Sequence, residues 1–65
     1  MDFKVKFQEL DNNDDLTGNT IIEFYVSGNR NKIAAIHTAV KMFKTENRNL
    51  YLEYRHSYYI EAIEV

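Results

Sequence analysis

Hydrophobic and polar residues alternate strictly at the start of the chain. In FKVKFQEL, Phe3, Val5 and Phe7 fall on one side and Lys4, Lys6 and Gln8 on the other, the period of two that marks a half-buried strand. The next stretch, DNNDDLTGN over 11–19, is polar apart from Leu16 and rich in turn formers, so it reads as a connecting loop. Alternation returns in TIIEFYVS over 20–27, with Ile22, Phe24 and Val26 on one face and Ile21, Glu23, Tyr25 and Ser27 on the other. This predicts a second strand, antiparallel to the first.

Gly28-Asn29 ends that pattern and the period changes. Ile33, Ile36, Ala39, Val40 and Phe43 recur at helical spacing, which predicts an amphipathic helix over about 31–46. Asn29 or Asn31 caps its start, because an Asn side-chain oxygen accepts a free first-turn N–H, and Asn47 is placed to end it in a left-handed conformation.

In the closing stretch, NLYLEYRHSYYIEAIEV, Leu50, Leu52 and Tyr54 alternate with Tyr51, Glu53 and Arg55. That predicts a third strand with the first trio in the core, a turn at Arg55-His56-Ser57 and a fourth strand from Tyr58. The facing of the last strand is open: Tyr58, Ile60 and Ala62 share one side, Tyr59, Ile63 and Val65 the other, and a bulge would exchange them. A short helix over 59–65 is the alternative, and the aromatic and β-branched content favours the strand. The expected fold is α+β: one domain over 1–65, a small antiparallel sheet in β-β-α-β-β order, and one amphipathic helix on one face.

Size and composition narrow the chemistry. Sixty-five residues bury little surface, and a core this small supplies about 3–5 kcal/mol. With no cysteine there is no disulfide or thiolate zinc site, and two histidines do not make a metal centre without carboxylates. No cofactor or metal is expected, and self-association is the remaining source of stability. No long apolar run or leader-like start is present, so no membrane partner and a cytoplasmic location are expected. Enrichment in Asn, Lys, Ile, Tyr and Phe points to A/T-rich codons, as in a low-GC bacterium or its phages.

Three clusters carry the candidate chemistry. The acidic loop (Asp11, Asp14, Asp15) has calcium-loop alternation at Asp11, Asn13 and Asp15. Leu16 stands where the sharp-turn Gly belongs and Ile22 where the bidentate Glu belongs, so a solvated turn is expected. A net charge of −2 conceals −4 over 1–29, +4 over 30–48 and −2 over 49–65. The basic segment sets Arg30, His37, Lys41, Lys44 and Arg48 along one edge of the helix, beside the apolar stripe. The third cluster is the outward face of the sheet, with Ile21, Tyr25, Tyr51, Glu53, Arg55 and Tyr59 as candidate partner contacts next to Lys4 and Lys6.

Neither His37 nor His56 has a motif partner for acid–base work, and no Gly-rich phosphate loop or nucleophile elbow is present. An enzyme is therefore not expected. The leading expectation is a small protein-binding module, self-associating, of the kind phages use to inhibit or modulate a host enzyme or regulator. Its acidic loop would stand in for phosphates if the target binds nucleic acid. The alternative is single-stranded nucleic-acid binding, with Tyr25, Tyr51 and Tyr59 stacking on bases and Lys4, Lys6 and Arg55 on phosphates. The acidic total weighs against it.

Overall fold

The computed structural model describes residues 1–65. Five elements follow one another: strands β1 (Phe3–Leu10) and β2 (Leu16–Val26), helices α1 (Lys32–Glu46) and α2 (Arg48–Tyr54), and strand β3 (Tyr58–Glu64). The class is α+β, as the pattern predicts. The order β-β-α-β-β is not: there are three strands, and both helices lie between β2 and β3.

β1 occupies the centre of the sheet, antiparallel to β2 on one side and β3 on the other. Its alternation explains the placement. Phe3, Val5 and Phe7 are almost wholly buried under α1, so their strand needs neighbours on both edges. Across the sheet they pair with Val26, Phe24 and Ile22 of β2 and with Glu64, Ala62 and Ile60 of β3, which share the helix-side face. The β1–β2 turn is shorter than the polar stretch suggests, since β2 begins at Leu16. Asp11 organises it: its Oδ1 accepts from the backbone N–H of Asn13 (2.8 Å) and Asp15 (3.1 Å). Asp14 takes a left-handed φ of 62° there.

Asn31 caps α1 as expected, its Oδ1 accepting from the Ala34 N–H at 2.9 Å. Asn47 does not adopt the left-handed conformation expected of it. It has φ −134°, and the chain turns there directly into α2. The buried face of α1 is also rotated from the predicted stripe. Ala35, Ala39 and Phe43 form its core line, while Ile33 is 67% exposed. Two alanines at successive turns let the helix backbone come close to the sheet, and an isoleucine line would hold it off.

The expected third strand is α2. Alternation over six residues does not separate a strand from a two-turn helix, and here Leu50 and Tyr51 turn inward while Leu52 is exposed. The Tyr51 ring stands edge-on to Phe43, with centroids 5.5 Å apart and planes at 86°. Leu52 is therefore not core, and Tyr54 is only half-buried. Arg55-His56-Ser57 does form the turn, closed by the Ser57 N–H to the Tyr54 carbonyl at 2.8 Å. β3 then runs without a bulge, Tyr58, Ile60 and Ala62 toward the helices and Tyr59, Glu61 and Ile63 away from them. The register shifts twice on the other side of β1: at Phe7/Gln8, where Ile21 is the extra residue between Ile22 and Thr20, and again between Gln8 and Leu10.

Candidate functional site: the uncovered face of the sheet

Both helices pack on one side of the sheet, leaving the opposite face without a covering layer. Register alone sets its composition. Three rows cross it from β2 through β1 to β3: Tyr25–Lys4–Ile63, Glu23–Lys6–Glu61 and Thr20–Gln8–Tyr59. Ile21, the extra residue of the bulge, has no partner in these rows; it is half-buried and packs against the core.

An uncovered antiparallel face is ordinarily polar. Here Tyr25 is 67% exposed, Tyr59 54% and Ile63 42%, so apolar area sits toward the corners around a charged centre. Lys6 lies between two carboxylates, one on each neighbouring strand. Gln8 ties the third row to the second through Nε2–H donated to Glu61 Oε1 at 3.2 Å. The Lys4 ammonium lies 6.0 Å from the Tyr25 ring centroid, within reach of its electron-rich face. The face offers charge, hydrogen-bonding groups and rings held on rigid strands.

Of the six residues expected here, Tyr25 and Tyr59 are present, while the bulge turns Ile21 to pack against the core. Tyr51, Glu53 and Arg55 are absent from the face: the first two belong to α2 and the third to the turn after it. Their displacement also breaks up the Tyr25, Tyr51, Tyr59 trio proposed for base stacking. Glu61 is the member that sequence reasoning missed, although its parity with Tyr59 and Ile63 was the available signal.

The acidic turn is built by hydrogen bonding within itself, with Asp11 as the organiser and Asp14 and Asp15 exposed. Beside it, Glu9 Oε1 accepts from Thr17 Oγ1 (2.8 Å) and Asn19 Nδ2 (3.2 Å). These bonds, Thr17 foremost, hold the Glu9 carboxyl below its ordinary pKa. Tyr54 is raised in turn, chiefly by its hydrogen bond to Glu9. Tyr58 is raised mainly by burial. No three His, Asp or Glu side chains gather as a metal site would require.

The basic edge is divided. Arg30 precedes the Asn31 cap and Arg48 opens α2, so α1 itself carries His37, Lys41 and Lys44. These three point away from the Ala35–Ala39–Phe43 line at about 100° per residue, on the outward side of the helix rather than beside its buried stripe. They border an open surface depression of about 420 Å³ together with Val40 and Thr45.

No helix is long and apolar enough to cross a membrane. Comparison with known protein families, with characterised proteins and with solved structures finds no match to this chain.

Proposed function

We propose that the protein is a non-enzymatic binding module whose uncovered sheet face takes the surface of another protein. The observation that carries this reading is the pairing of exposed Tyr25, Tyr59 and Ile63 with the ordered row Glu23–Lys6–Glu61. Amphipathic rings around a charged, hydrogen-bonded centre combine apolar area with directional contacts.

Charge order favours a different chain over a second copy. In a symmetric face-to-face pair centred on Lys6, with the two-fold axis along the strands, Glu23 meets Glu61 of the other copy and Lys6 meets Lys6. With the axis across the strands, each residue of that row meets its own counterpart. Either arrangement opposes like charges at the centre. The complementary surface has an acidic residue between two basic ones, with apolar residues outside them. A host enzyme or regulator displaying such a basic pair is the partner this reading expects.

The test is a purification of the tagged chain with its bound proteins from bacterial extract, with and without nuclease, repeated with Tyr25→Ser/Tyr59→Ser. A stoichiometric protein that survives nuclease, and is lost from the double variant, supports the reading. Retention by the double variant overturns it. Nucleic acid that is captured at low salt and released steeply as salt rises would support the stacking alternative on the same two tyrosines.

A further inference from the structure

We infer that the outward face of α1 is a second docking surface, for an acidic polypeptide segment, on the side of the molecule opposite the uncovered sheet. It stands apart from the reading of the sheet face and uses none of the same residues.

His37, Lys41 and Lys44 follow one another at four- and three-residue spacing, which sets them in one row on the helix surface. They edge the depression of about 420 Å³, and Val40 is its apolar member. The only acid in α1 is Glu46, in its last turn, so no carboxylate of the same helix lies within the row. The Lys44 ammonium sits 5.7 Å from the Tyr51 ring centroid, and Tyr51 packs edge-on against Phe43. Holding a lysine over a ring reduces the side-chain freedom lost when it meets an anion. Thr45 donates its hydroxyl to the Lys41 carbonyl at 2.8 Å, so that hydroxyl is already engaged within the helix.

Length and surrounding charge select the partner. From His37 to Lys44 the row spans about 10 Å of helix, room for two or three carboxylates at successive helical turns. A nucleic acid presents a continuous line of phosphates and would run beyond the row. Outside residues 30–48 the chain carries net −6, from −4 over 1–29 and −2 over 49–65. Much of that lies toward the end where α1 stops. Phe43 meets Tyr58, the partner of Glu9, so the acidic turn follows at that end, with Glu53 nearby in the chain. A short acidic segment fits the row and avoids this repulsion.

The test is a two-dimensional amide NMR titration of the ¹⁵N-labelled full chain with a capped hexaglutamate peptide at low ionic strength. Saturable shifts concentrated at residues 37–45 are expected. Lys41→Gln/Lys44→Gln should weaken binding more than ten-fold while leaving the remaining spectrum in place. Lys4→Gln/Lys6→Gln, on the sheet face, should leave the titration unchanged, so this result is independent of the fate of the sheet-face reading. Absence of saturable shifts overturns the inference, as does binding indifferent to the Lys41/Lys44 pair. Tighter binding of a twelve-nucleotide oligothymidylate at residues 37–45 would also overturn it, in favour of a nucleic-acid partner.

Discussion

The rings of Phe7 and Phe43 meet with centroids 4.7 Å apart and planes inclined at 51°, joining the central strand to the covering helix. Tyr58 closes the group from β3, 5.2 Å from Phe7 and 5.9 Å from Phe43, and Tyr51 closes it from α2. Every element thus places a ring in this cluster, β2 through Phe24, edge-on to Phe7 at 6.0 Å.

Phe43→Ala should therefore abolish cooperative folding. Removing a buried phenylalanine costs about 3–5 kcal/mol, the whole stability that a core of this size supplies. Phe43→Leu should keep the fold at a lower Tm. Thermal melts followed by circular dichroism check both, and a native-like Tm for the alanine variant would contradict the role given to this ring.

The rotated face of α1 makes a paired prediction. Ile33→Gln should change stability by less than about 0.5 kcal/mol, because the side chain is 67% exposed. Ala39→Leu should cost about 1–3 kcal/mol, because the methyl faces a filled core with no room for three more carbons. Urea unfolding of the two variants decides; the opposite ranking would restore the stripe that periodicity suggests.

Stability should depend on pH at both extremes, through different groups. The Glu9 carboxyl is lowered in the fold, so its contribution is present above the unfolded-state pKa and is lost as pH falls through the folded-state value. Tyr58 and Tyr54 are raised, so theirs is present below the ordinary tyrosine pKa of about 10 and is lost as pH rises through the higher folded-state values. Tm measured against pH should fall in acid and again in strong alkali. Glu9→Gln should flatten the acid limb without altering the alkaline fall attributed to Tyr58.

Glu61 should act as a guard on the β3 edge. The Val65 N–H bonds the Asp2 carbonyl and the Leu10 N–H bonds the Ser57 carbonyl, both at 2.9 Å, so odd-numbered residues of β3 bond inward to β1. Tyr58, Ile60, Ala62 and Glu64 direct their backbone groups to the free edge. A symmetric pairing of two such edges that uses all four places Glu61 against Glu61, and like charges directly opposite oppose it. Glu61→Val should raise concentration-dependent self-association above that of the wild type in sedimentation velocity.

Much of this molecule is set by local pattern. The alternation of Phe3, Val5 and Phe7, the β-branched run before Val26, the cap at Asn31 and the turn at 55–57 act over a few residues, and each is found where the pattern puts it. Local pattern also decides that Tyr25 points away from the core, whereas the side taken by Tyr59, open in the sequence, is decided by pairing of β3 with β1.

Tertiary packing decided the rest. Leu50 to Tyr54 satisfies a strand and a helix equally well over its short length, and contact of Tyr51 with Phe43 and Lys44 accompanies the helical choice. The same choice removed Tyr51, Glu53 and Arg55 from the uncovered face. Ala35 rather than Ile33 lies in the core because a sheet selects the helix side that can approach it most closely, a distance that hydrophobicity along one helix does not encode. The row Glu23–Lys6–Glu61 joins residues from three strands, and it exists only because β1, first in the chain, lies in the middle of the sheet.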